Sequence, residues 1–164
     1  MERPEWEKHS GAMGEKVCLI MGATSGIGKA TAMGLATLGA SVVMVGRARG
    51  KSEAVMAEIK EKSGNTSVDL MLADLSSQEE IRRLADVFKE AYPRLDVLTN
   101  NAGVFRSKRI TTADGLETTF AVNHLAYFLL TKLLLDVVKA SAPSRIVNVS
   151  SGEHSHATID FDDL

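Results

Sequence analysis

The sequence predicts an α/β fold, a doubly wound parallel sheet with crossover helices. Three observations predict it: short β-branched runs alternate with stretches of helical periodicity, the runs number five, and a glycine-rich turn directly follows the first. Right-handed crossovers between parallel neighbours then leave any ligand beyond the carboxyl ends of the strands.

The strands are predicted at 17–21, 42–45, 68–72, 97–99 and 146–149. After the first, Ile27, Thr31, Gly34, Leu35 and Leu38 fall on one helical face, and Gly39 supplies a left-handed stop before the second strand. Ile81, Leu84, Ala85 and Phe88 repeat that spacing behind Ser77, an N-cap residue. The longest helix is predicted over 116–140, where Leu116, Phe120, Tyr127, Thr131, Leu134 and Val138 form a stripe for burial, and Pro143 ends it.

With 164 residues, 45% hydrophobic and 24% charged, the chain has the size and composition of one globular domain. Residues 1–14 read as a polar N-terminal extension and 15–164 as the domain. A net charge of -2 offers no basic excess, so nucleic acid is not an expected partner. The single cysteine, Cys18, lies in the first apolar run and reads as a buried structural thiol. The N-terminus has no apolar signal core, and no run is expected to reach the ~20 apolar residues that cross a bilayer. A cytoplasmic protein without a transmembrane segment is the expectation.

The chemistry concentrates in the turns. Gly22-Ala23-Thr24-Ser25-Gly26-Ile27-Gly28 follows the first strand and opens a helix. Glycines so spaced let the backbone turn sharply and bring free amides and the helix dipole to a pyrophosphate, as in a Rossmann-type dinucleotide fold. About 20 residues further on, where an NAD enzyme places an acid on the ribose 2′-hydroxyl, this chain has Gly46, Arg47 and then Arg49. A guanidinium there suits a 2′-phosphate, so NADP(H) is expected over NAD(H), with Arg47 the binding residue and Arg49 a solvated charge.

The spacing GxxxGxG resembles that of the short-chain dehydrogenase/reductase family, with Met21 in place of the threonine common before it. Fourth-strand residues Asn100-Asn101-Ala102-Gly103 match the family's NNAG motif. Thr112 to Glu117, Phe120, Val122 to Leu125 and Phe128 to Thr131 resemble its retinol dehydrogenase-like subgroup.

That resemblance implies roles. Asp74 would bond the adenine amino group and Leu75 pack on its ring, although an aspartate there also suits a turn cap. Asn101, Ala102 and Gly103 would lie along the cofactor, with the amides bracing neighbouring strands. Asn123, expected to point inward with Phe120, Tyr127 and Leu134, would help hold the catalytic lysine through water. In the segment Arg145 to Ser151, Ser151 would polarise the substrate carbonyl; no Gly-x-Ser-x-Gly elbow points to hydrolysis instead. The implied activity is hydride transfer between NADP(H) and an alcohol or carbonyl of a hydrophobic small molecule, such as a retinoid, steroid or aldehyde. The resemblance also admits a homo-oligomer of the full-length protein.

Glu153, His154 and His156 crowd one short loop without a distant partner, so no metal site is expected. The family's Tyr-x-x-x-Lys is not in the sequence: Tyr92 and Tyr127 are followed four residues later by Asp96 and Thr131, and both precede the serine. The expectation is a Rossmann-type sheet truncated after its fifth strand, inactive alone, with that strand an exposed edge. Rival readings are a non-catalytic NADP(H)-binding regulator and a fragment without independent function.

Overall fold

The computed structural model describes residues 11–156, 158, 160 and 161, with the side chains of His154 and His156 outside the described set. Five strands form one parallel sheet: β1 (Val17–Met21), β2 (Ser41–Gly46), β3 (Val68–Leu72), β4 (Val97–Asn100) and β5 (Arg145–Asn148), in the order β3-β2-β1-β4-β5. The order reverses at β1, so the loops after β1 and β4 diverge and open a crevice at the carboxyl edge. The strands run one residue beyond expectation at three of their ends, and β5 begins and ends one residue early.

β1 is buried throughout, and β2 and β4 beyond their first residues, as both faces of a parallel sheet require. On one face α1 (Gly26–Thr37) and α2 (Arg49–Ser63) cover Ile20, Val42, Met44 and Val68. On the other, α3 (Gln78–Ala91) and α5 (Ala126–Ala140) cover Leu19, Val43, Val45 and Leu98. Cys18 is buried, and that burial, with Asp96 nearby, pushes its thiol up to about 12, which leaves it an inert core group.

Ser77 caps α3 by accepting from Glu80 N at 3.3 Å, and the buried face is Ile81, Leu84, Ala85 and Phe88, as the spacing predicts. Gly39 adopts φ +89° behind α1. The face of α1 is otherwise: its buried residues are Gly28, Ala32 and Ala36, while Ile27 is 65% exposed. Small side chains let the helix axis settle close to the sheet, so the close-packed face is not the most hydrophobic one.

The long apolar helix also departs from expectation. One turn, α4 (Thr118–Phe120), leads into a π turn, Ala121–Leu125, before α5 begins. The extra residue shifts the helical phase, and the buried stripe beyond it is Ala126, Leu130, Leu134 and Val138. Tyr127 and Thr131 lie half-buried beside that stripe, as Leu116 and Phe120 do upstream. Contrary to the sequence expectation, Thr118–Ala140 is long and apolar enough, at mean hydropathy 1.4, to cross a membrane by length and composition. Its buried stripe, about a third of the apolar window, rests on the sheet.

Residues 11–14, expected as part of a polar extension, fold back on α1: Gly11 N and Met13 N both donate to Leu38 O. Arg49 opens α2 rather than lying in a loop, and pairs with Glu53 at 3.2 Å. At the other end β5 is exposed along its four residues.

Candidate functional site

A cleft of about 530 Å³ opens at the carboxyl edge of the sheet where the strand order reverses. Its floor is the turn after β1. Gly22 there has φ +71°, and a Cβ would stand 2.7 Å from Ala102 Cα, so the first glycine is required both for conformation and for contact with the β4 loop. Gly26 has φ +52° with nothing within 4 Å of a Cβ, so this backbone faces open space in the cleft. Gly28 is buried beneath: a Cβ would collide with Gly22 O and Asn101 Nδ2.

The start of α1, like that of α2 behind Ala48, has no side-chain cap, and of the two it is the one that opens on the cleft. Ser77 and Glu117 each accept a backbone N–H at their own helix, whereas Ser25 makes no side-chain cap to α1. The first amides of α1 therefore face the cleft as donors without a capping side chain, at the positive end of the helix dipole.

The wall beyond is built by β2 and β3. Arg47, two-thirds exposed, leaves the end of β2 and holds Nη1 3.9 Å from Asp74 Oδ2. Asp74 Oδ1 accepts from Ser76 N at 2.9 Å and from Ser76 Oγ at 2.7 Å, a turn cap after β3. Burial opposes the charge on Asp74, but the Ser76 hydroxyl and amide, helped by Arg47, outweigh it and hold the carboxyl below its usual range. The carboxylate thus both caps the turn and lines the cleft, so the two sequence readings of Asp74 are compatible.

The third wall is the loop after β4. Asn101 Nδ2 donates to Met21 O and Gly22 O, each at 3.2 Å, and Asn100 Nδ2 to Asn148 Oδ1 at 2.8 Å and Thr131 Oγ1 at 3.0 Å. These amides brace β4 against both neighbouring strands. Tyr127 Oη donates to Ala102 O at 2.6 Å from below.

Of the residues assigned to cofactor binding from sequence, Gly22, Thr24, Ser25, Gly26, Ile27, Arg47, Asp74, Leu75, Asn101, Ala102 and Gly103 line the cleft. Gly28 does not, because its place is the packing of helix on turn. The exposure of Ile27, misplaced on a buried helix face, is that of a cleft residue.

Asn123 and Ser151 stand outside the lining. Asn123 is exposed rather than inward: its Oδ1 accepts from Val104 N at 2.8 Å and its Nδ2 donates to Val104 O at 2.9 Å. The π turn rotates it off the core stripe and toward the β4 loop. Ser151 is exposed, follows the cleft residue Val149 by two positions, and its Oγ accepts from Glu153 N at 3.3 Å. The metal question posed by His154 and His156 falls on side chains outside the described residues.

Sequence reasoning missed Val45, Gly46, Ala73, Val104, Val122 and Val149. Gly46 alone carried a signal, its place before Arg47; a Cβ there would collide with Ser52 Oγ and approach Thr24 Cγ2 to 2.8 Å. The others are aliphatic walls with no chemistry to flag. In the subgroup-like block, Asp114 accepts from Gln78 N at 2.8 Å and Glu117 from Phe120 N at 2.7 Å. Both acids work as helix caps.

Strand order, crossovers and glycine turn together define a Rossmann-type protein. The sequence profile of the short chain dehydrogenases matches residues 16–160, and the chain belongs to that family of oxidoreductases. Human retinol dehydrogenase 13 is 48% identical over 149 residues, which is 91% of this chain and 45% of that protein. Human retinol dehydrogenase 14 is 42% identical over 94% of this chain and 50% of that protein, so the chain spans about half the length of these curated relatives. Among solved structures, a short chain dehydrogenase from Escherichia coli CFT073 complexed with NADPH superposes with TM-score 0.76 at 29% identity, covering 89% of this chain and 62% of that one.

Proposed function

We propose that the cleft binds NADP(H) and that the whole protein transfers a hydride between it and an alcohol or carbonyl carbon of a hydrophobic small molecule. One observation carries the reading: the α1 N-terminus, without a side-chain cap, faces a cleft whose far wall bears Arg47. Orphan amides and a helix dipole suit a diphosphate, and an exposed guanidinium suits the 2′-phosphate that distinguishes NADP(H) from NAD(H). The open space over Gly26, where a Cβ would meet nothing, fits a ligand approaching bare backbone.

In this reading Thr24, Ser25, Gly26 and Ile27 hold the diphosphate, while Asp74 and Leu75 hold the adenine. Asn101, Ala102 and Gly103 form the wall along the rest of the cofactor. Gly22 and Gly28 act indirectly, by permitting the turn. When bound, the cofactor supplies the hydride donor or acceptor. Ser151 polarises the substrate oxygen, and Asn123 fixes the Val104 backbone beside it and supports the proton relay. NADPH seen in a related dehydrogenase and similarity to retinol dehydrogenases support the cofactor and the class of substrate.

Titration of the full-length protein with NADPH and NADH tests the reading. Saturable binding with preference for NADPH, lost when Gly26→Asp puts a carboxylate into the open space over the turn, is the expected result. Absence of binding to a folded protein overturns it.

A further inference from the structure

A second groove, of about 350 Å³, lies between the start of α3 and the π turn with the first turns of α5. Its walls are apolar, built largely from Ile81 on one side and Leu125, Leu129 and Leu133 on the other. Phe128 stands at the groove 62% exposed, an aromatic ring left in water. A concave apolar surface of this size is within the range of small-ligand sites.

Two cations complete it, Arg82 from α3 and Lys132 from α5, one on each wall and both exposed. Each has an acid four residues on, Asp86 and Asp136, yet among the described residues neither cation forms an ion pair; Asp86 turns to Lys89 at 3.3 Å. Asp114, which touches the lining residue Gln78, is engaged by that residue's amide. The arrangement is therefore leucine walls between two uncommitted positive charges. Water alone satisfies the cations but not the walls, whereas a neutral apolar chain satisfies only the walls.

We infer that this groove is a binding site for an anionic single-chain amphiphile of the long-chain carboxylate class, its tail along the leucines and its head between Arg82 and Lys132. The site is distinct from the nucleotide cleft and adjoins it, with Leu75 lining both. It goes beyond the proposed oxidoreductase reading and does not depend on it.

Calorimetric titration of the full chain with oleate, below the concentration at which oleate forms micelles, tests the inference. Saturable binding is expected, with oleyl alcohol binding more weakly. Arg82→Glu combined with Lys132→Glu should weaken oleate by about tenfold or more, the scale of a lost charge-assisted contact. The same variant should gain affinity for dodecylammonium while its thermal unfolding stays unchanged, which a general loss of structure would not produce. Equal oleate affinity in the double variant overturns the inference, as does self-association that buries Phe128 and is insensitive to oleate. Oleate that NADPH displaces and that Arg47→Asp abolishes would be in the nucleotide cleft, which also overturns this site but leaves the proposed function standing.

Discussion

The side-chain amide of Asn101 lies where a Cβ on Gly28 would have to be. The same amide donates to the carbonyls of Met21 and Gly22, so the third glycine, the β4 loop and the β1 turn lock one another in place. Two glycines two residues apart therefore have separable duties.

Gly28→Ala should destabilise the fold by roughly 1 to 3 kcal/mol, because the turn cannot relax without losing those bonds. Gly26→Ala meets no neighbour and should cost only the left-handed backbone penalty of roughly 1 to 2 kcal/mol, while weakening nucleotide binding. Thermal melts and NADPH titration on both variants check this; equal effects on binding per unit of stability lost would refute the division.

Arg47→Asp should move preference from NADPH toward NADH by roughly 1.5 to 3 kcal/mol, one charge-assisted contact. The guanidinium stands 3.9 Å from Asp74, so the variant also sets two carboxylates near each other and should bring the Asp74 carboxyl up. Unaltered cofactor preference removes Arg47 from the site.

At the opposite end of the sheet, buried Asp96 accepts from Val17 N at 2.9 Å, Lys16 Nζ at 3.0 Å and Arg94 Nη2 at 2.6 Å. Burial disfavours its charge, but Arg94, the Val17 amide and Lys16 outweigh it and hold the carboxyl down to about 2, from 3.8. A depressed folded value means that its stabilising effect is complete above 3.8 and is lost as pH falls toward about 2. Asp96→Ala should lower stability by roughly 1 to 3 kcal/mol at neutral pH, the cost of leaving the Val17 amide unpaired, and flatten that acid limb. Denaturant unfolding at a series of pH values is the measurement; an unchanged acid limb would count against Asp96.

The 164-residue chain should bind cofactor without turning over alcohols or carbonyls. Both tyrosine hydroxyls are committed elsewhere, Tyr92 to Asp69 and Tyr127 to the Ala102 carbonyl, so neither is a proton donor at Ser151. Turnover at rates typical of the family would overturn this.

How far the sequence reveals the fold varies by element, for physical reasons. The sheet is legible because buried parallel strands read as short, nearly continuous apolar runs such as Val17–Met21, and α3 because one face meets the core over an unbroken 3.6 repeat. The buried residues of α2 are Ser52, Val55 and Ile59, too sparse and polar to mark a stripe. In α1 the requirement for close approach selects Gly28, Ala32 and Ala36, so hydrophobicity marks the wrong face.

The site divides likewise. Glycines and charges announce themselves because a turn or a ligand constrains their type. Val104 and Val149 line the same cleft through position alone, and nothing in their chemistry separates them from core valines.

The five-residue π turn gives one polypeptide segment two independent orientations. Within it the chain addresses the β4 loop through Asn123 while, downstream, Leu130 and Leu134 still address the sheet. Excising a single residue from that turn would rotate everything before it by about 100° relative to α5. The clasp on Val104 would swing away even though every side chain that forms it remained in the protein.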